Sequence, residues 1–368
     1  MWFVDFTEMF QDYPEAGLPV VGKKLFWSVD LETGEESQPN PSRLAFEGSY
    51  SSTLQIRCDG QRVTVGGNPS RWQRIDNLFG HTTIEACVAV YNRILLELGL
   101  PPFSKCTKFN WLQSGENDRS RLWTDGAVIT RIDWTRNLGV GRDNVLPFLR
   151  GLSTQALNRG KLPYLYPNGR TTDWNKGSSW RYDKIYDKGY DLASRKKLKK
   201  LKTDEERDYY KRLINYCEEM GIAREEHTFK QKFLSRHNFC FYGMVRESDF
   251  EPHLNEIDNA MKRLEIAAVD YITIADQLLD REIVKSRQAA NTTEGYALKW
   301  LHGHALEHNS QYYVHRARLL QLGIDISLQF DGTKPVPQLK RDREIHVSTV
   351  LPPPWYRMPE VPTLKLVA

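Results

Sequence analysis

Residues 54–65 read Leu-Gln-Ile-Arg-Cys-Asp-Gly-Gln-Arg-Val-Thr-Val. Apolar and polar side chains alternate on both sides of Asp59-Gly60, a dipeptide typical of the two-residue turn in a β-hairpin. Segments 127–135 and 222–229 also have the character of strands, and helical patterns separate them. The sequence therefore predicts an α+β fold with an antiparallel sheet and packed helices.

Two segments combine a capping box with an apolar stripe at helical spacing. Thr82 and Glu85 form the first box, and Thr203 and Glu206 form the second. In such a box the threonine hydroxyl and the glutamate satisfy backbone amides at the start of a helix. We therefore expect a helix after each box. The stretch 163–180 is rich in Gly, Pro, Asn and Ser and is predicted to be a loop.

The sequence changes character near residue 250. Strand signals cease there, and helical patterns extend to about Leu322. The proline-rich stretch 352–356 cannot be helical and predicts an extended tail packed on the body of the protein. These observations predict two domains, an α+β domain at 1–250 and a mostly helical domain with an extended tail at 251–368.

The composition is that of a globular protein. The chain has 368 residues, of which 40% are hydrophobic and 27% are charged. It contains no apolar run long enough to span a membrane, and its first residues do not read as a signal peptide. The five cysteines are scattered and odd in number, which argues against a disulfide framework and for a reducing cytoplasm. Walker A, Gly-x-Gly-x-x-Gly and Gly-x-Ser-x-Gly motifs do not occur, so ATPase, dinucleotide-dependent and serine-hydrolase activities have no support.

The charged residues leave two interpretations open. The net charge is only +4, but many of the ten tryptophans and seventeen tyrosines lie beside Arg or Lys. Mixed cationic and aromatic surfaces suit single-stranded nucleic acid, although the same residues also fill ordinary cores. The basic run at 195–202 is either a solvated face or a track for phosphates.

Two predicted strands carry the same pair of residue types. Arg131 and Asp133 share one face of their strand, and so do Arg224 and Glu226. If the strands are neighbours, two carboxylates and two guanidiniums lie together. Carboxylates with free water positions suit Mg²⁺ or Mn²⁺, and the arginines would hold a phosphate or the carboxylates. The alternative is a surface ladder of salt bridges, which stabilises little.

Three tyrosines recur every four residues, at Tyr182, Tyr186 and Tyr190. A tyrosine hydroxyl is able to attack a phosphodiester and hold the DNA end covalently, provided that its pKa of about 10 is lowered. A metal ion, Lys184 or Lys188 would lower that pKa. The alternative is a tyrosine-rich segment with a structural role only.

These segments, taken in order, resemble the replication initiators of filamentous bacteriophages, the gene II/X family. The similar pieces are NLFGHTT at 77–83, ITRID at 129–133, WR at 180–181 with IYDK at 185–188, AREE at 223–226, QLGI at 321–324 and PWY at 354–356. The resemblance extends from about residue 45 to the end of the chain. Only the ordered set is specific, since no single motif is.

The resemblance implies a rolling-circle initiator that nicks a phage origin, stays linked to the 5′ phosphate, and later circularises the displaced strand. Tyr186 falls on the position of the nucleophile, with Tyr182 and Tyr190 as possible second nucleophiles. Asp133 and Glu226 fall on the acidic positions that would hold Mg²⁺ or Mn²⁺, with Arg131 and Arg224 beside them. The predicted DNA contacts are Arg181, Lys184, Lys188, Lys196, Lys197, Lys199 and Lys200.

The resemblance also implies partners and a location. The expected DNA partner is the origin, bound as a duplex and as a single strand. A host polymerase would extend the free 3′-OH with the help of a host helicase. The protein would act in the bacterial cytoplasm and would not bind a membrane. The main alternative is a non-enzymatic DNA-binding regulator that uses the predicted helix 310–322, which carries His315, Arg316 and Arg318. A conjugative relaxase is a third possibility, and the lack of a credible histidine cluster speaks against it.

Overall fold

The computed structural model describes residues 1–14, 17–37, 40–112, 121–157, 160–194, 197–263, 267–270, 273–329 and 341–362. The strands are β1 (Phe3–Asp12), β2 (Leu25–Phe26), β3 (Asn40–Pro41), β4 (Leu44–Glu47), β5 (Thr53–Cys58), β6 (Arg62–Gly67), β7 (Phe109–Leu112), β8 (Arg121–Thr124), β9 (Val128–Gly139), β10 (Pro163–Leu165), β11 (Thr171–Trp174), β12 (Arg181–Asp187), β13 (Ile222–Lys230), β14 (Ala267–Asp270), β15 (Arg341–Glu344) and β16 (Ser348–Thr349). The helices are α1 (Ile84–Glu97), α2 (Val145–Leu152), α3 (Lys188–Ser194), α4 (Asp204–Met220), α5 (Gln231–His237), α6 (Glu251–Leu254), α7 (Glu256–Arg263), α8 (Ile274–Asp280), α9 (Arg287–Leu301) and α10 (Ser310–Leu320).

The chain forms two compact units. One consists of Met1–Ile266 together with Ile345–Ala368, and the other of Ala267–Glu344. From the sequence we expected a domain boundary at residue 250, with the tail in the second domain. In the structure the described part of the tail belongs to the first unit, where β16 pairs with the end of β9.

A ten-stranded antiparallel sheet is the framework of the first unit. Its order is β10-β11-β12-β13-β9-β1-β6-β5-β4, with β16 added beside β9. The predicted hairpin at 54–65 is confirmed, because β5 pairs with β6 and the Asp59 carboxylate accepts hydrogen bonds from the amides of Gln61 and Arg62. The predicted α+β class is confirmed as well.

The two faces of the sheet bury different clusters. We call the face that carries Glu226 the front face and the opposite one the back face, since side chains alternate along each strand. On the back, α1 and α5 cover Val4, Met9 and their neighbours. On the front, residues of α3 and α4 and Tyr356 of the tail cover Phe3 and Ile222. This front cover lies over one end of β13, beside Arg224 and Glu226.

The described residues of the second unit form three helices and a strand pair. α8, α9 and α10 enclose two apolar clusters, and β14 pairs with β15. The expectation that strands cease after residue 250 was therefore wrong. The predicted helix at 310–322 is confirmed as α10, with Asn309 as its cap. Its Arg316 makes a two-point ion pair with Asp325 at 2.8 and 3.0 Å.

Two further sequence expectations differ from the structure. The box at Thr203 and Glu206 is confirmed at the start of α4, but the cap of α1 is Thr83 rather than Thr82. The predicted loop at 163–180 contains β10 and β11, because pairing with β12 supplies the hydrogen bonds that the local sequence does not indicate.

Replacing Thr83 with alanine is expected to lower the free energy of unfolding by about 1 kcal/mol. The Thr83 hydroxyl accepts a hydrogen bond from the amide of Ala86 at 3.2 Å, and alanine leaves that amide without its cap. Thr82→Ala, also exposed, is the matched control and should change stability by less than half as much. Equal losses in chemical denaturation would show that Thr83 is not the cap.

Candidate active site

The site is built around a tyrosine–glutamate pair on neighbouring strands. In the β12–β13 register, Tyr186 lies opposite Arg224 and Lys184 lies opposite Glu226. The Tyr186 hydroxyl donates a hydrogen bond to Glu226 Oε1 at 2.6 Å, and Lys184 Nζ lies 2.7 Å from Glu226 Oε2. The phenol therefore already faces a group that is able to take its proton.

Charges around this pair set its proton balance. Burial and then the charge of Glu226 raise the pKa of Tyr186 well above 10, and Arg224 opposes them. Burial also acts to raise the pKa of Glu226, but Lys184 and Arg224 outweigh it, so that this pKa is lowered. Glu226 is thus a carboxylate and Tyr186 a neutral phenol, so the expectation that Lys184 or Lys188 lowers the pKa of this tyrosine was wrong, and the phenol keeps its proton until a base accepts it.

Asp133 lies beside this pair on the front of β9. It faces Thr228 across the β9–β13 ladder while Glu226 faces Thr135, so the two carboxylates are diagonal neighbours. Arg131 holds Asp133 through two hydrogen bonds of 2.9 and 2.6 Å. Burial raises the pKa of Asp133, Arg131 offsets part of this effect, and the charge of Glu226 raises the pKa again. The predicted neighbouring strands with a shared acidic face are therefore present.

Arg224 is completely buried rather than open to a phosphate. Its guanidinium donates to the backbone carbonyls of Asn77 and Leu78 at 2.8 and 2.5 Å and to Asn137 Oδ1 at 3.0 Å. Among the described residues its Nη1 has no hydrogen-bond partner. Its positive charge next to Tyr186 offsets part of the rise in the pKa of that phenol. Arg224 thus fixes the segment before α1 and favours a negative charge on the tyrosine oxygen.

The sequence reading missed two carboxylates of β1, Asp5 and Glu8. A bulge between Val4 and Phe6 turns Asp5 toward the site, where it accepts hydrogen bonds from Asn68 and Asn77, each at 2.8 Å. Glu8 faces Arg131 across the β1–β9 ladder. The even positions Phe6, Glu8 and Phe10 of β1 were the available signal for Glu8, but the bulge that brings Asp5 to the site is not indicated by the sequence.

The other two tyrosines of the motif occupy different surroundings. Tyr182 lies on the same front face of β12, and its hydroxyl donates to Asp173 Oδ2 at 2.8 Å. Burial and Asp173 raise its pKa. Tyr190 is on α3, exposed, with the guanidinium carbon of Arg170 4.2 Å from its ring centre. In this structure Tyr186 alone among the three donates its hydroxyl to a carboxylate that also binds a lysine.

The residues predicted to contact DNA are dispersed. Arg181 is buried on the back face, and Lys188 is buried beneath the front cover, where it binds Asp191 at 2.9 Å. Neither presents its charge to solvent, which corrects the expectation of a surface contact. Lys184 is bound to Glu226 and belongs to the site itself. Lys199 and Lys200 are exposed, the side chain of Lys197 is not described, and Lys196 lies outside the described residues.

A closed network of charges lies on the back face, directly behind the site. His227 Nδ1 lies 2.6 Å from Asp183 Oδ1, and its Nε2 lies 2.7 Å from Glu225 Oε1. The remaining members bind around this core through salt bridges: Arg181 with Asp183 and Glu256, Arg136 with Glu225 and Asp258, and Lys161 with Asp183 and Glu256. The network joins β9, β12 and β13, the three strands that carry Asp133, Tyr186 and Glu226. We call it the back network.

The carboxylates on the front face suit a divalent cation. Asp133 and Glu226 supply hard oxygen ligands from adjacent strands, and Mg²⁺ commonly uses one or two carboxylates together with water and substrate phosphate. Within the described ranges no three His, Cys, Asp or Glu side chains form a metal-binding group, so an ion at these two carboxylates would need further ligands from water or a bound phosphate.

Comparison with known proteins gives a consistent result along the chain. Residues 27–254 match the N-terminal family of the phage replication-associated proteins known as gene II proteins, and residues 278–362 match the C-terminal family of the same proteins. The replication-associated gene II protein of Escherichia phage If1 is 38% identical over 315 residues, which cover 83% of this chain and 98% of that protein.

A solved structure of a rolling circle replication initiator protein from Geobacillus stearothermophilus is also similar over 71% of this chain and 84% of its own. Its identity to this chain is 13% and the TM-score is 0.28. In the part of this chain that the structure describes, no helix has the length and apolar character needed to cross a membrane.

Proposed function

The chain belongs to the gene II family of phage replication-associated proteins, and we propose that it initiates rolling-circle replication by nicking one strand of a phage origin. One observation carries the chemical part of this proposal, the 2.6 Å hydrogen bond from the Tyr186 hydroxyl to Glu226. The raised pKa of Tyr186 means that its hydroxyl keeps its proton until attack, and the contact places that proton on an ionised carboxylate able to accept it.

The proposed reaction is a transesterification. Glu226 accepts the proton of Tyr186, and the phenol oxygen attacks the phosphorus in line. A bond forms between that oxygen and phosphorus, the bond from phosphorus to the 3′ oxygen breaks, and the 3′ oxygen leaves and takes up a proton. Arg224 favours the negative charge on the phenol oxygen, and Lys184 holds Glu226 in place. The phosphotyrosine keeps the energy of the phosphodiester, so rejoining needs no ATP.

Asp133 and Glu226 Oε2 would hold the divalent ion, with Arg131 orienting Asp133, while Glu226 Oε1 remains with the Tyr186 hydroxyl. Bound there, Mg²⁺ or Mn²⁺ would stabilise the charge that develops on the scissile phosphate. The protein's DNA partner is then the origin, first as duplex and then as the nicked strand. A host polymerase extends the free 3′-OH, a host helicase separates the strands, and the reaction takes place in the host cytoplasm.

The test uses purified full-length protein and supercoiled plasmid carrying the origin of its own phage. We expect relaxed circles with Mg²⁺ and none with EDTA, and mass spectrometry of the protein–DNA adduct should locate the nucleotide on Tyr186. Asp133→Asn should raise the Mg²⁺ concentration for half-maximal nicking by about tenfold or more. Binding without nicking would favour a regulator. If Asp133→Asn and Glu226→Gln both leave nicking intact, the metal assignment is wrong.

A further inference from the structure

Two phenylalanines of β1 carry arginine side chains over their rings on the front face. The guanidinium carbon of Arg131 lies 4.3 Å from the ring centre of Phe6, and that of Arg62 lies 4.1 Å from the ring centre of Phe10. Carboxylates bind both guanidiniums at two points, Asp133 for Arg131 and Asp12 for Arg62. The arginine side chains are nevertheless 38% and 37% exposed. Their orientation is thus fixed while part of each remains open to solvent.

Two more arginines continue this surface away from the site. Arg43 makes a salt bridge with Glu8, which lies between Phe6 and Phe10 on β1. Arg57 Nη1 donates to Asn40 Oδ1 at 3.1 Å. Three of the four arginines pair with carboxylates, Glu8, Asp12 and Asp133, whereas Arg57 binds the amide oxygen of Asn40.

The surface ends at the hairpin formed by β2 and β3. Phe26 pairs with Asn40, the residue bound by Arg57. Phe26 and Trp27 are 56% and 60% exposed, and Lys23 and Lys24 beside them are exposed too. The far end of the hairpin is different in charge. It carries the acidic residues Asp30, Glu32, Glu35 and Glu36, which would repel a phosphate backbone.

We propose that this surface, from Arg131 along β1 to Phe26 and Trp27, binds single-stranded DNA next to the nick. Guanidinium planes and exposed aromatic rings are platforms for unpaired bases, and adjacent cations neutralise phosphates. We call this surface the single-strand track. Because the acidic end of the hairpin would repel phosphates, the track ends at Phe26 and Trp27. The inference rests on the proposed function, because it begins at Asp133 and gives the nicked strand its path away from Tyr186.

The experiment measures fluorescence anisotropy of a labelled origin oligonucleotide, as a single strand and as a duplex, with the full-length protein. Phe26→Ala/Trp27→Ala should weaken single-strand binding about tenfold or more and affect the duplex less. Both side chains are exposed, so the variant should fold. Leu31→Ala, at a residue 97% exposed near the acidic end, is the matched control and should bind like wild type.

The outcomes separate this inference from the proposed function. Tyr186→Phe should retain single-strand binding, because Tyr186 is not part of the track. Nicking by wild type together with unchanged single-strand affinity of Phe26→Ala/Trp27→Ala would overturn the track alone. Binding by wild type without any nicking would overturn the proposed function and leave the track. Equal weakening with single strand and duplex would overturn single-strand selectivity.

Discussion

Tyr186→Phe should abolish nicking while leaving the fold and DNA binding nearly unchanged. The substitution removes the only atom that forms the covalent bond, so the rate should fall on the order of 10⁴-fold or more. Stability should fall by about 1 kcal/mol, the usual effect of losing one hydrogen bond, because Lys184 still neutralises Glu226. The measurement is the initial rate of conversion of supercoiled origin plasmid to relaxed circles.

Two matched variants make this result specific. Tyr182→Phe removes a hydroxyl from the same face of β12, and Tyr190→Phe removes an exposed one from α3. Both should nick within a few-fold of the wild-type rate. If Tyr186→Phe nicks normally and Tyr190→Phe does not, the nucleophile is on α3 and the pairing with Glu226 is structural.

The sequence indicates which site residues share a face of a strand, because this depends only on whether their numbers are odd or even. Residues that differ by an even number share a face of a strand, and this rule correctly groups Arg131 with Asp133 and Tyr182 with Tyr186. The same rule separates Arg181 from Tyr186, since they differ by five. Applied consistently, it would have placed Arg181 on the back face and excluded it from the DNA-binding surface.

Other features depend on long-range contacts that local patterns do not encode. Lys188 is the first residue of α3, so the strand rule no longer applies to it, and its burial depends on the packing of α3 and α4. Asp5 reaches the site through a bulge that follows from pairing with β9. The return of the tail to β9 joins residues more than two hundred positions apart. Only the folded chain brings these groups together.

The largest effect on stability is expected from His227→Gln, in the back network. A carboxylate oxygen only accepts, so contacts of 2.6 and 2.7 Å from both ring nitrogens to Asp183 and Glu225 require an imidazolium. In a neutral ring, Nδ1 of His227 could accept a hydrogen bond from Arg181, 3.0 Å away. The lone pair of Nδ1 would then also face the Asp183 carboxylate, which is unfavourable. The cations Arg136, Lys161, Arg181 and His227 then balance the carboxylates of Asp183, Glu225, Glu256 and Asp258.

Glutamine at 227 leaves one buried negative charge uncompensated, so the free energy of unfolding near neutral pH should fall by about 3–5 kcal/mol. The pH dependence has a defined sign. Burial acts to lower the pKa of His227, but Asp183 and Glu225 outweigh it and raise the pKa above 6.5. Because the pKa of His227 is raised in the folded state, its protonated ring stabilises the protein fully below pH 6.5. This contribution to the free energy of unfolding is lost as the pH rises through the pKa of His227 in the folded protein.

The carboxylates of Asp183 and Glu225 set the lower limit of the pH range in which the back network stabilises the protein. Burial opposes ionisation of Asp183, but His227 and then Arg181 lower its pKa to about 2, and the pKa of Glu225 is lowered from 4.5. Their contribution to the free energy of unfolding is present above their pKa values in the unfolded protein, and it is lost as the pH falls through their pKa values in the folded protein. The difference in stability between wild type and His227→Gln should therefore be largest near pH 5–6.5 and shrink as the solution becomes more alkaline.

Chemical denaturation between pH 5 and 9 tests this expectation, with two further variants as controls. Glu225→Gln/His227→Gln restores charge balance and should recover part of the loss, whereas His304→Gln changes an exposed histidine and should have almost no effect. The Met1 amino group near Arg136 has a pKa that burial lowers, but it is common to all variants and cancels in their differences. A pH-independent difference, or a double variant no more stable than His227→Gln, would show that packing rather than the imidazolium charge holds these strands together.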